Sequence, residues 1–304
     1  MTSPIHIEAY GCTDVGCIRT SNEDCYLFQT MDAPQSELNQ SELLNVKNNQ
    51  DLFAAVSDGM GGAAAGEVAS QTALTTYNEY LQKHNAELKD AMPNQIVQIL
   101  EEGIQIANRA ILKKADELKS HKGMGATITA LYLKKDIMYL LQVGDSRAYV
   151  YRDKQLVRIT RDQSFVGHLV EMGTITEAQA LKHPQRNVIL QALGTQDHLK
   201  VDISYLPLCK GDLVIICSDG LYSEFLPEQL ELRVRDLSPE DIKAFVKSII
   251  DDAKKAGGKD NITALALYMR EGLPAREPGE VPRYQAFPYL DQDNPLNKAQ
   301  SLFQ

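Results

Sequence analysis

The chain reads as an α+β layered fold, and three observations carry that reading. Short apolar runs alternate with tight-turn signals through the middle of the chain, the pattern of antiparallel hairpins. Two long helical patterns stand next to each other instead of alternating with strands. A third helical pattern near the end is followed by one last strand, so the elements come in groups, unlike a βαβ parallel sheet.

Residues 5–10 alternate apolar and polar side chains and predict a first strand; 26–28 and 52–56 predict two more. Between them, 31–51 is rich in Asn, Gln, Ser and Glu and predicts a surface excursion on a hairpin. Helices are predicted over about 66–81 and 94–119. Neither has an internal proline, and in the second Ile96, Leu100, Ile104, Ala107 and Ile111 recur at helical spacing. The runs 126–133, 137–143, 148–151 and 155–159 are separated by Lys134-Lys135-Asp136, Gly144-Asp145 and Arg152-Asp153-Lys154, which predicts a meander. Residues 161–194 are polar, with short helical pieces over 165–172 and 176–181. Strands over 201–206 and 213–218, a helix over 239–255 stopped by Gly257-Gly258, and a strand over 262–269 complete the pattern.

No linker-like break precedes about residue 271, so 1–271 predicts one domain. Residues 272–304 carry Pro274, Pro278, Pro282, Pro288 and Pro295 with little periodicity, which predicts an extended or disordered tail. Its Tyr284, Phe287, Tyr289 and Phe303 could dock on a partner or on the domain itself.

Composition narrows the function classes. The chain has 304 residues, 43% hydrophobic and 24% charged, as in soluble globular proteins. A net charge of −10 argues against affinity for nucleic acid or anionic membrane, both of which favour basic patches. The first residues show no signal peptide, and the apolar run Leu213–Cys217 is far too short to span a bilayer. Five cysteines with no CxxC pair disfavour a disulfide framework or structural zinc, so a reducing cytoplasm is expected.

Four acidic motifs sit where apolar runs meet turns: Asn22-Glu23-Asp24, Asp58-Gly59-Met60-Gly61-Gly62, Asp219-Gly220 and Asp260-Asn261. Any one alone is an ordinary turn signal. Together they suggest a site, because a carboxylate at a buried strand end is costly unless its charge is compensated. No basic residue neighbours Asp58 or Asp219 in sequence. Hard divalent cations take oxygen ligands, and glycine lets a backbone carbonyl approach one closely.

Seven ordered segments make the chain similar to the metal-dependent protein phosphatases (PPM, protein phosphatase 2C type), in their bacterial form. They are Asp14-Val15-Gly16 through Arg19-Thr20-Ser21-Asn22-Glu23-Asp24, Val56-Ser57-Asp58-Gly59-Met60-Gly61-Gly62, Gly123-Met124-Gly125-Ala126-Thr127, Val143-Gly144-Asp145-Ser146-Arg147, Ala192-Leu193-Gly194, Ser218-Asp219-Gly220-Leu221 and Asp260-Asn261-Ile262-Thr263. The resemblance implies a four-layer αββα sandwich, two antiparallel sheets flanked by pairs of helices, with 161–194 as a flap beside the active site.

It also implies two Mn²⁺ or Mg²⁺ ions and the residues that hold them. Asp58 would bridge both; Asp219 and Asp260 would hold one; Glu23 and the Gly59 carbonyl would hold the other. Asp24 would orient metal-bound water, and Asp145 with Asp219 matches a third, weaker position. Arg19 matches the phosphate-binding arginine, whose planar fork suits two oxygens at once. In this chemistry two cations roughly 3.5–4 Å apart activate a bridging water for in-line attack on a phosphoserine or phosphothreonine, with no covalent enzyme intermediate.

The chain departs from relatives at three places: Met60 where animal members have a histidine, Gln163 where many bacterial ones do, and Ala126 for a frequent threonine. None removes a metal ligand. The expected partners are phosphorylated protein substrates of a Ser/Thr kinase, with the enzyme a monomer. The rival reading is an inactive protein of the same fold that binds a phosphoprotein; the full set of carboxylates stands against it. The absence of any GxxxxGK[ST] loop disfavours a nucleotide hydrolase.

Overall fold

The computed structural model describes residues 4–34, 36–47, 50–117, 122–236, 241–276 and 279–287. The chain opens with strands β1 (His6–Asp14), β2 (Asp24–Thr30), β3 (Leu44–Lys47) and β4 (Leu52–Met60), then helices α1 (Ala63–Lys83), α2 (Asn85–Asp90) and α3 (Pro93–Glu117). Strands β5 (Gly125–Ala126), β6 (Ile128–Lys134), β7 (Ile137–Val143), β8 (Arg147–Arg152) and β9 (Gln155–Arg158) follow, and α4 (Phe165–Glu171) and α5 (Glu177–Ala180) break up the polar stretch. The remainder is β10 (Asp202–Pro207), β11 (Leu213–Cys217), α6 (Asp219–Tyr222), α7 (Pro227–Asp236), α8 (Ile242–Ala256), β12 (Ile262–Glu271) and β13 (Gln285–Ala286).

Two antiparallel sheets form. One runs β3-β1-β12-β11-β8-β9, the other β13-β10-β7-β6-β4-β2 with β5 on β4. The strand sequences explain why both are sandwiched. Along β4, Leu52, Ala54 and Val56 face the core between the sheets, while Phe53 and Ala55 face α1 and α3. Along β12, Leu265, Leu267 and Met269 face the other sheet, and Ile262, Ala264 and Ala266 face α8. A strand buried on both faces reads as a continuous apolar run, yet its period of two still sorts side chains between two cores. Helix α8 supplies the third core with Ile242, Phe245, Val246, Ile249, Ile250 and Ala253, spaced along one stripe. The result is the expected αββα sandwich, and no helix of the described residues is long and apolar enough to cross a membrane.

Some elements were not legible beforehand. The 31–51 excursion contains β3, which adds to the outer edge of β1 with His6 opposite Lys47. Four residues with a single buried Val46 carry no usable period. Helix α7 is strongly polar and buries Leu230 and Val234 against the third core. Asp219-Gly220 opens the short helix α6 directly after β11.

Past residue 271 the described chain lies along the domain. The buried Arg152 guanidinium donates Nε and Nη2 to Asp212 at 2.9 and 2.7 Å and Nη1 to Glu280 at 3.1 Å. Further on, β13 pairs with β10, and the Phe287 N–H donates to the Ile203 carbonyl at 2.9 Å. Lys119, Pro239, Tyr289 and Phe303 lie outside the described residues.

Candidate metal centre

Antiparallel topology gathers the acidic motifs. In such a sheet the end of one strand lies beside the start of its neighbour. Asp24 begins β2 and stands opposite Asp58 near the end of β4. Asp260 precedes β12, whose start pairs with the end of β11, just before Asp219. Asp145 lies in the turn from β7 to β8, and the start of β8 is also registered against the end of β11. Five carboxylates, at the ends of β2, β4, β11 and β12 and in the β7–β8 turn, therefore meet at one end of the sandwich.

Neutral groups hold them in place. Asp24, buried at 4% exposure, accepts from the Ser218 hydroxyl at 2.6 Å and the Thr263 hydroxyl at 2.7 Å. The Asp58 N–H donates to Thr127 Oγ1 at 3.0 Å, and Thr127 Oγ1 meets Ser146 Oγ at 2.7 Å. Asn261 ties the start of β12 to three points of the β1–β2 connection: Oδ1 accepts the Glu23 N–H at 2.8 Å, and Nδ2 donates to the Val15 and Ser21 carbonyls at 3.0 and 2.9 Å. Gly59 and Gly66 let β4 and α1 close on Glu23. A Cβ on Gly59 would lie 2.0 Å from the Gly66 carbonyl oxygen, and one on Gly66 would lie 2.1 Å from Glu23 Oε2.

The electrostatics of this end are strained in a consistent direction. Burial, then the charges of Asp24, Asp219, Asp145 and Asp260, push the Asp58 carboxyl well above the ordinary range. Asp219 is raised well above it by burial and by Asp145, Asp260 and Asp24. Burial lifts Asp24 to about 6 against the pull of its two hydroxyls, and burial with Asp162 lifts Asp145 to about 7. Glu23 is raised by burial, with Arg19 opposing. Like charges sharing a poorly solvated space disfavour one another, and a divalent cation reverses that penalty.

The donor set fits such ions: all its side-chain donors are hard oxygens, with no soft ligand at the site. Among the described residues no three His, Cys, Asp or Glu side chains form a ready-made cage for an ion. Mg²⁺ sites do not require one, since the ion keeps several waters and takes one or two carboxylates.

Arg19 stands at the rim, half exposed. Its Nη2 donates to Asp260 Oδ2 at 2.8 Å and its Nη1 lies 4.0 Å from Glu23 Oε1. A cleft of about 430 Å³ runs from Arg19, Asp145, Asp219 and Asp260 to the flap. A buried ion-pair cluster anchors that flap. Arg147 stacks over the Tyr222 ring at 3.8 Å and grips Asp162 through Nε at 3.1 Å and Nη2 at 2.6 Å. Glu177 at the start of α5 faces Arg147 at 3.8 Å and Arg158 at 3.1 Å.

The structure thus brings Glu23, Asp24, Asp58, Gly59, Asp145, Asp219, Asp260 and Arg19 to one end. Sequence reasoning gave no role to Thr127, Ser146, Ser218, Thr263 or Asn261, nor to the Arg147–Asp162 pair. All but Asp162 lie within the seven quoted segments, but only register shows what their polar atoms touch. Gln163, the departure from the bacterial pattern, fastens the flap base: its Oε1 accepts the Gly144 N–H at 2.9 Å.

Fold and site together define a layered α+β protein with an acidic cleft end suited to hard divalent ions. Comparison with known proteins makes this specific. The family model for protein phosphatase 2C matches residues 31–265. The serine/threonine phosphatase stp of Listeria welshimeri is 32% identical over 266 residues, covering 86% of this chain and 97% of that protein. Among solved structures, the S. agalactiae serine/threonine phosphatase superposes with a TM-score of 0.74 at 27% identity, covering 87% of this chain and all of that one. The catalytic domain of the phosphatase PstP in complex with two manganese ions gives 0.70 at 27% identity, over 88% of this chain and all of that one. The chain belongs to the protein phosphatase 2C family.

Proposed function

We propose that this protein removes phosphate from phosphoserine and phosphothreonine in the targets of a Ser/Thr kinase, as a cytoplasmic monomer using two Mn²⁺ or Mg²⁺ ions. One observation carries the reading: mutually destabilised carboxylates gather at a single strand-end cluster that opens into a cleft. When bound, such a pair of ions polarises phosphoryl oxygens and acidifies water.

The chain's own residues do the rest. Asp58 would hold both ions, Asp219 and Asp260 one, Glu23 and the Gly59 carbonyl the other; Asp145 with Asp219 would offer a third, weaker position. Asp24 is fixed by Ser218 and Thr263, so its second oxygen can hold the proton of an attacking water in one orientation. Arg19 lines the cleft with its Nη2 resting on Asp260, and its guanidinium would turn to incoming phosphate oxygens. Met60 beside Asp58 has no proton to give, so protonation of the leaving oxygen falls to water or another group.

Purified protein with Mn²⁺ should release phosphate from a phosphothreonine peptide and stop in EDTA. Turnover that persists in EDTA would overturn the reading.

A further inference from the structure

The cleft has a second end. Away from the strand-end carboxylates its lining mixes the cations Arg147, Arg158, Lys182, Arg186 and Lys259 with the acidic Asp162, Glu177 and Glu224. Three of the cations are already engaged. Arg147 holds Asp162, Arg158 holds Glu177, and Lys259 reaches Glu224 at 4.0 Å. Lys182 and Arg186 are exposed, and among the described residues neither is ion-paired.

They are also held in place. After α5, the His183 N–H donates to the Ala180 carbonyl and the Arg186 N–H to the His183 carbonyl, each at 3.1 Å. The Phe165 N–H donates to the Val188 carbonyl at 2.8 Å, Ser164 bridges to Ile189, and the His183 and Phe165 ring centroids lie 5.9 Å apart. Glu177 ties the same turn to Arg147 and Arg158. Two cations with no ion-pair partner among the described residues, held on a pinned segment, make a local attractor for an anion in a chain of net charge −10.

We infer that Lys182 and Arg186 are specificity determinants that read a second anion, a carboxylate or a second phosphate, beside the phosphorylated residue of the substrate. This rests on the phosphatase reading above. A phosphoryl group seated at the carboxylate end leaves the flanking residues of the same peptide passing along the wall that carries Lys182 and Arg186. The cations act by binding, so they lower KM for substrates with anionic flanks and discriminate against basic ones.

The test uses phosphothreonine peptides that differ only in their flanks: neutral, Asp/Glu-rich, Lys/Arg-rich, or bearing a second phosphothreonine. Each is assayed with Mn²⁺ against wild type, Lys182→Ala/Arg186→Ala and Lys182→Glu/Arg186→Glu. Wild type should favour an anionic flank over the neutral one by about 5- to 10-fold in kcat/KM, through KM, as expected for two exposed cations. The alanine pair should bring that ratio to about one, and the glutamate pair should turn the preference toward basic flanks. Added NaCl should erode the wild-type ratio. The acidic and doubly phosphorylated peptides tell which anion is read. If wild type turns over the peptides without a flank preference, or the variants keep it, the inference is wrong. If no peptide is turned over at all, the phosphatase reading itself fails.

Discussion

At the carboxylate end, Asp24, Asp58, Asp219 and Asp260 sit on or beside strand ends whose positions are set by sheet register, and Asp219 and Asp260 line the cleft. Neutral hydroxyls and amides hold them, and their own charges repel. In the wall, residues 161–194 carry two short helices and many exposed side chains, tied to the domain by the Glu177 and Asp162 ion pairs. The difference teaches where each task can be placed. A reaction centre must hold disfavoured charges at fixed positions, which packed strands or helices do better than a loop. Substrate discrimination needs side chains that change without disturbing the core, which a surface segment allows.

Three substitutions would sharpen or break that contrast, in order of expected effect. Asp58→Asn should abolish turnover at saturating Mn²⁺. In EDTA it should melt no earlier than wild type, because the change relieves repulsion from Asp24, Asp219, Asp145 and Asp260. Near-normal phosphate release would reject Asp58 as a ligand, and an early melt would mean that its charge stabilises the fold.

Thr263→Val keeps side-chain shape but removes one hydroxyl from Asp24. It should lower activity by about 10- to 100-fold or raise the Mn²⁺ requirement by a similar factor, as losses around metal ligands do. Activity within twofold of wild type, at unchanged Mn²⁺ dependence, would show that Ser218 alone suffices to hold Asp24.

Glu177→Gln loosens the wall only. Its carboxylate is partly exposed, so KM for a phosphoprotein should rise about two- to fivefold with kcat nearly unchanged. Proteolysis within 161–194 should quicken. A large fall in kcat would place the flap anchor inside the reaction itself and erase the distinction between carboxylate end and wall.

Legibility in the sequence followed the same division. The long elements could be predicted because each carries its own period, as Ile96 to Ile111 does in α3. The carboxylates could be picked out because they sit in short motifs with glycine at fixed offsets, and because seven such motifs occur in one order. Elements too short or too polar for a period, β3 and α7, could not. The tail looked featureless, yet its described part is fastened by Glu280 on Arg152 and by β13 on β10, contacts between residues 128 and 80 positions apart.

The sequence by itself determined the layered α+β class, the acidic motif set and the resemblance to metal-dependent phosphatases, because these rest on local patterns. Only the tertiary structure decided that Ser218 and Thr263 hold Asp24, that Arg19 grips Asp260, and that Lys182 and Arg186 line the cleft with no ion-pair partner among the described residues. The physical reason is that a charge is defined by its neighbours. In an antiparallel sandwich those neighbours arrive from distant parts of the chain, as Asp260 does for Arg19 from 241 residues away.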